Sequence, residues 1–213
     1  MPVRIEPIHL RHLAPNARSS YREAFQNGQD ILDATGIAGT PRRVAHFMAQ
    51  VLHESGGLVL QFENLNYSAP RLSVVFPTRF KPKGPLDPAR FEHDPQKLGN
   101  EVYGRRMGNT EPNDGFTYRG RGLLQLTGKD NYREVTQLLR SRYADAPDLL
   151  RSPDEVISAR WCVRVAAVKW EARGCNALAD AGDIRRVTRA INGGLIGIGD
   201  RTEWLRRTTA VWP

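Results

Sequence analysis

The segment Gly39–Gly57, "GTPRRVAHFMAQVLHESGG", constrains the fold more than any other stretch of this chain. Thr40 can cap the first helical turn, and Pro41 carries the fixed φ and missing N–H that suit the first helical position. Val44, Phe47, Met48, Val51 and Leu52 then recur at i, i+3, i+4, i+7 and i+8, which is one apolar helix face for a core to cover. Gly56 and Gly57 end the helix. A His-Glu pair, His53 and Glu54, stands at its last turn.

The other elements are less sharply marked. A first helix reads from Ala17 to about Ala34, with Tyr21, Ala24, Phe25, Ile31 and Leu32. From Leu58 to about Asp114 the chain is irregular and holds seven prolines. Short helical pieces are predicted there around Ser68–Phe76 and Pro95–Tyr103. "FTYRGRGLLQLTG" has enough β-formers for a short strand or hairpin. Helices are then predicted over Asp130–Arg142, Asp154–Arg173 and the segment "DIRRVTRAINGG", with a last one near Arg201–Val211. The expected class is mainly α (α+β) with a minor β element. The 213 residues suit a single domain, with a smaller irregular lobe over about 64–115. Such a stretch inside a domain is often a functional lobe or lid. Cys162 and Cys175 would lie roughly 15–20 Å apart along a helix, too far for a disulfide, so two buried free thiols are expected.

Net charge narrows the partners. At +8, with a pI of about 9.9, the surface attracts polyanions such as nucleic acid, anionic lipid or the acidic polymers of a bacterial envelope. The arginines are spread along the chain. No zinc-finger spacing, basic-zipper block or base-stacking strand accompanies them, so nucleic acid has only charge in its favour. The first twenty residues hold no apolar run of signal-peptide length, and no run approaches the ~20 apolar residues of a membrane span. Synthesis in the bacterial cytoplasm is expected, with no stable membrane insertion.

The motifs carry the chemistry. A zinc protease needs His-Glu-x-x-His, and the fifth position here is Gly57, so zinc is rejected at this motif. Glu54 projects near Phe47, at the edge of the apolar stripe. Burial disfavours a charged carboxylate, which is how a general acid is made at neutral pH. The competing reading is a helix-end glutamate in a salt bridge, although an acid there opposes the helix dipole. His53 points away from the stripe and reads as a supporting residue. Glu63 follows nine residues on, in "QFENLNYSA". A straight helix would separate the two by about 13 Å, but the glycines bend the chain, so the carboxylates can face each other across a cleft. In "GRGLLQLTG" two glycines flank Arg121, which suits close backbone approach or positive φ. On a strand there, Gln125 and Thr127 would share one face, Leu124 and Leu126 the other. Asn192, before a Gly-Gly turn, reads either as a ligand amide or as a helix cap.

Together "FMAQVLHESGG", "ENLNYSAPRLSVVFPTRF", "YGRRMGN", "YRGRGLLQLTGKDNY" and "TRAINGGLIGIGDR" resemble the family 19 glycoside hydrolases, the phage-type endolysins more than the plant chitinases. The matches run in the family's order over most of the chain. The resemblance implies a lysozyme-like, mainly helical fold with two lobes flanking a sugar-binding groove. It implies that Glu54 is the general acid, that Glu63 is the base or electrostatic partner, and that Thr127 helps hold the attacking water. Gln125 and Asn192 match substrate-binding positions, and Tyr67 and Tyr118, inside matched segments, complete the expected substrate-binding set. No metal and no cofactor is implied. Two departures stand out. Some endolysins of this type have Asp where this chain has Glu63. Plant members carry a Glu, ion-paired with the acid's network, near the position of Ile196, so desolvation is expected to take a larger share in tuning Glu54.

The implied reaction is single displacement with inversion, which needs carboxyl groups roughly 6.5–9.5 Å apart to leave room for the water. Chitin and peptidoglycan share β-1,4-linked N-acetylglucosamine, so the catalytic motifs alone do not choose between them. The basic charge, the lack of a signal peptide and the phage-type motifs favour the glycan strands of peptidoglycan, cut by a monomer that reaches the periplasm through a holin-type or other non-signal-peptide route. A chitinase is the first alternative. A non-catalytic wall-binding protein is the second, and the presence of both carboxylates and Thr127 argues against it.

Overall fold

The computed structural model describes residues 2–213 and is built almost wholly from helices. Three short helices, α1 (Pro7–Leu13), α2 (Ser19–Gln26) and α3 (Gln29–Ala34), lead into α4 (Pro41–Glu54). The start of α4 is as its sequence dictates: the Thr40 side chain accepts from Arg43 N at 3.2 Å. Nine consecutive residues of α4, Val44 to Leu52, are buried. Phe47 meets Trp170 edge to face at 5.4 Å inside the main core. Each such side chain taken from water contributes roughly 1.5–3 kcal/mol.

Helices α5 (Ala69–Val75), α6 (Pro95–Tyr103) and α7 (Asp114–Thr117) belong to the proline-rich stretch. They enclose a second apolar cluster of Leu65, Leu72, Phe80, Phe91, Leu98 and Val102. Then come α8 (Lys129–Arg140), α9 (Cys162–Ala172), α10 (Cys175–Asp180), α11 (Ile184–Asn192) and α12 (Ile198–Val211). Helix α12 packs along α4, and α9 supplies Trp170 to the same core. Both cysteines are free and buried. No helix among the described residues is long and apolar enough to cross a membrane.

Three expectations change. The helix predicted over Ala17–Ala34 is two helices, broken at Asn27–Gly28. A side chain at Gly28 would lie 2.8 Å from Val163 Cγ1 and 2.7 Å from the Ala24 carbonyl, so only glycine lets α9 approach there. The helix predicted over Asp154–Arg173 starts late. Residues Pro153–Ile157 form a 3₁₀ turn, Ser158 is extended, and its hydroxyl accepts from Trp161 N at 3.2 Å. The minor β element reduces, among the described residues, to isolated bridges: Phe62 with Arg121, Arg121 with Leu126, and Phe80 with Leu86.

Candidate active site

Glu54 is the last residue of α4, where the buried stripe reaches the surface. Its side chain is 13% exposed, and Arg201 of α12 donates from Nη2 to Oε1 at 2.5 Å. Arg201 is 1% exposed and spans three partners. Its Nη1 donates to Gln50 Oε1 at 2.5 Å and its Nε to the Ile196 carbonyl at 3.2 Å. Gln50, one turn before Glu54, is fully buried and in turn donates to Thr188 Oγ1 at 3.3 Å. An arginine fork held this tightly fixes one carboxyl oxygen. The other, Oε2, has no hydrogen-bond partner among the described residues. The plant-type glutamate partner is absent, as the sequence indicates, and the structure supplies a cation beside Glu54 instead: Arg201, at the end of the same glycine-rich motif. Ile196 is 81% exposed and contributes its carbonyl.

The bend after α4 delivers the second carboxylate. Gly56, Gly57 and Leu58 all have left-handed backbone, with φ of 55, 70 and 65°. Gly57 N donates back to the Leu52 carbonyl at 2.7 Å, and the side chain of Leu58 is fully buried. The chain reverses and pairs Phe62 with Arg121. Glu63 and Gly120 then exchange hydrogen bonds: Glu63 N donates to the Gly120 carbonyl at 3.0 Å, and Gly120 N donates to Glu63 Oε1 at 2.6 Å. Tyr103, at the end of α6, donates its hydroxyl to Glu63 Oε2 at 2.6 Å. Burial first, and then the charge of Glu63, push the Tyr103 phenol far above its ordinary range, so it stays a neutral donor.

The third wall is the loop Gly120–Gly128. Arg121 and Leu126 hydrogen-bond reciprocally at 3.1 and 2.8 Å, closing a tight turn with Gly122 at φ 73° and Gln125 at φ 44°. Leu123, Leu124 and Leu126 are buried, while Gln125 and Thr127 face the cleft. Arg121 is locked inside by Asp154, the Thr117 carbonyl and the Tyr132 hydroxyl, so it is a structural residue. Gly120 lies where three polar atoms converge. A methyl on it would stand 2.7 Å from Gln125 Oε1, 3.2 Å from Thr127 Oγ1 and 3.3 Å from Glu63 Oε1.

Glu54, Glu63, Gln125, Thr127 and Asn192 thus line one cleft of about 580 Å³. Tyr103, Arg106, Met107 and Lys169 line it too, and sequence reasoning had not singled them out. Lys169 of α9 donates to the Leu124 carbonyl at 2.9 Å. Burial lowers its pKa to about 8, partly offset by Glu54. Neither tyrosine expected to bind substrate is among the residues lining this cleft, although Tyr67 lies near enough to Glu63 that, after burial, the charge of Glu63 raises its phenol's pKa. Tyr118 is 6% exposed, donates to the Leu150 carbonyl and packs on Tyr132, so it is a core residue. Tyr67 meets Phe76 edge to face at 5.9 Å and belongs with the second cluster. His53 pairs through Nδ1 with Asp200 Oδ2 at 2.5 Å, and a side chain on Gly197 would collide with its ring, so it anchors the turn before α12. A larger cavity, about 740 Å³, lies at the opposite end of α4 and contains neither carboxylate.

A carboxyl with one free oxygen at a helix end, and a second carboxylate held by two donors on another wall of the cleft, have the layout of a glycoside hydrolase site. Comparison with known proteins leads to the same class. No family model matches the chain. It is 40% identical over 164 residues to a glycosyl hydrolase family 19 domain-containing protein of Haemophilus influenzae, an overlap covering 76% of each protein. The chain belongs to glycoside hydrolase family 19. Its fold matches chitinase C of Streptomyces griseus with a TM-score of 0.63 at 19% identity, over 98% of this chain and 92% of that one. A bacterial family 19 chitinase, whose crystal structure and enzymatic properties reveal differences with plant enzymes, matches with a TM-score of 0.62 at 20% identity, over 98% and 94%.

Proposed function

We propose that this family 19 hydrolase cuts the β-1,4 bonds of peptidoglycan glycan strands, as a phage-type lytic enzyme does. The observation that carries the chemistry is the pair of unlike carboxyls: Glu54 with a free oxygen, and Glu63 with both oxygens held by donors. Glu54 gives its proton to the glycosidic oxygen as the C–O bond breaks. Arg201, already on Oε1, stabilises the carboxylate that forms. Glu63, oriented by Tyr103 and Gly120 N, takes a proton from the water that attacks the anomeric carbon. Thr127 Oγ1 donates to the Gln125 carbonyl at 3.0 Å, which leaves its lone pairs and Gln125 Oε1 to accept the water's other hydrogen. The sugar leaves with inverted configuration, and proton exchange with solvent resets both acids.

Peptidoglycan is favoured by the net charge of +8 and by the phage-type motifs. On this reading the enzyme is made in the cytoplasm and reaches the wall through a holin-type or other non-signal-peptide route. Chitin is the second reading, because both solved structures described above as sharing this fold are chitinases. The test is Glu54→Gln compared with wild type on permeabilised Gram-negative cells and on colloidal chitin, with wall binding followed by pelleting. Wild type should clear the cells, and the variant should bind the wall without clearing them. Equal clearing by both would remove Glu54 from the mechanism, and release from chitin alone would make the enzyme a chitinase.

A further inference from the structure

Four cationic side chains line the cleft or reach its acid, and three of them are occupied. Arg201 is spent on Glu54 and Gln50, Arg173 forks onto Glu134 at 3.2 and 2.8 Å, and Lys169 is tied to the Leu124 carbonyl. Arg106 is different. It is exposed on the cleft wall and has no carboxylate within ion-pair distance among the described residues. Among the described residues its guanidinium makes one hydrogen bond, a long one, Nη1 to the Val102 carbonyl at 3.4 Å.

The loop that presents Arg106 is rigid. Arg105 and Met107, on either side of it, have φ of 59 and 51°, left-handed values that residues with side chains rarely adopt, and Gly108 follows at 77°. Asn109, 1% exposed, holds the loop from within: its amide donates to the Tyr103 carbonyl at 2.9 Å and accepts from Lys129 N at 3.0 Å. Asp130 N donates to the Met107 carbonyl at 3.0 Å. A side chain on Gly128 would stand 2.5 Å from Met107 Cβ, so the loop is pressed against the Gln125–Thr127 wall. A backbone held in an uncommon conformation, aiming one uncompensated guanidinium into a substrate cleft, is a ready carboxylate receptor. Met107, 36% exposed beside it, adds an apolar contact.

We propose that Arg106 is a specificity residue that binds a carboxylate carried by the 3-O-lactyl substituent of the muramoyl sugar, with Met107 against the adjoining apolar group. This rests on the peptidoglycan reading, since chitin carries no carboxylate. The carboxylate has two sources: the lactyl group itself on peptide-free strands, or an acidic residue of the stem peptide. Both present the same anion to the guanidinium fork.

The test compares wild type, Arg106→Gln and Arg106→Lys on peptide-free strands, on peptide-bearing strands, on both after chemical amidation of their carboxyls, and on chito-oligosaccharide. For wild type, amidation should cost about tenfold in kcat/KM, mainly through KM, as for loss of one charge-assisted contact. For Arg106→Gln, the same amidation should cost almost nothing further, because the contact is already gone. Arg106→Lys should recover part of the preference and lose it at high salt, since it keeps the charge without the fork. An amidation effect on peptide-free strands assigns the lactyl carboxylate, and one confined to peptide-bearing strands assigns the stem peptide. A wild type indifferent to amidation, or an Arg106→Gln variant as sensitive to it as wild type, overturns the proposal while the peptidoglycan reading stands. Wild type that cuts chito-oligosaccharide but no strand overturns both.

Discussion

Replacing Gly120 with alanine tests the geometry of the water site with one carbon atom. The added methyl would stand 2.7 Å from Gln125 Oε1, closer than the 3.0 Å that such carbons essentially never breach, and 3.2 and 3.3 Å from Thr127 Oγ1 and Glu63 Oε1. Gln125 must therefore move by a few tenths of an ångström or more. It cannot do so freely, because its Nε2 donates to the Gly122 carbonyl at 3.1 Å and its backbone sits at φ 44°. Overpacking of this kind costs about 1–3 kcal/mol, and a weakened neutral hydrogen bond adds up to about 1. A total near 2 kcal/mol lowers Tm by roughly 4–8 °C for a domain of this size. Activity should suffer more, since the methyl also occupies space between the base and the groups that orient the water. Misplacement on the order of 1 Å costs about a hundredfold in kcat. Calorimetry and steady-state turnover on the same preparation give both numbers. A Gly120→Ala enzyme that unfolds a few degrees early but turns over within twofold of wild type would refute the convergence of these three atoms on the reacting water.

Three further outcomes follow from single contacts. Tyr103→Phe removes the hydroxyl donor from Glu63 Oε2, a hydrogen bond to a charged group worth about 1.5–3 kcal/mol, so kcat should fall roughly tenfold to a hundredfold with KM little changed; an unchanged kcat would show that Tyr103 does not position the base. Arg201→Met leaves Glu54 and Gln50 without their buried partner and should cost about 3 kcal/mol in chemical denaturation along with most of the activity; a variant as stable as wild type would contradict the buried fork. His46, 2% exposed and with no partner for Nδ1 among the described residues, has its pKa pushed from 6.5 to about 4 by burial and, secondarily, by Arg42. The unfolded chain takes up that proton first, so the contribution of His46 to stability is full above pH 6.5 and is lost as pH falls towards 4. The loss is about 3 kcal/mol, and His46→Leu should be flatter than wild type over that window; parallel curves would show that His46 does not carry the acid sensitivity.

Local signals proved readable and distant ones did not. The start of helix α4 was legible to the residue and its end to within two, because Thr40, Pro41, the apolar repeat and the glycine pair are all signals within one element. The Gly56–Leu58 bend was legible for the same reason, and with it the approach of Glu63 to the cleft. The break at Gly28 was missed although Asn27-Gly28 is a local turn signal, and the close approach of Val163 that helps require glycine there comes from another helix. Ser158 interrupts a run whose apolar periodicity continues, so a local side-chain cap was mistaken for mid-helix. In "GRGLLQLTG" the β-formers suggested a strand, and the left-handed Gly122 and Gln125 make a turn that still sends Gln125 and Thr127 to the cleft. Arg201 pairs with a residue 147 positions away and Tyr103 with one 40 away, distances over which spacing says nothing. Tyr118 shows the converse: an aromatic inside a functional motif was read as a ligand contact, and its ring is needed by the core.

The central claim is that Glu54 and Glu63 work on opposite faces of the sugar with a water between them. The anomeric configuration of the first-formed reducing end, followed by proton NMR before mutarotation, tests it most directly. Cleavage of a β-1,4 bond by this arrangement must release the α-anomer. Release of the β-anomer would mean a double displacement, and would contradict the assignment of Glu63 as the base that activates water.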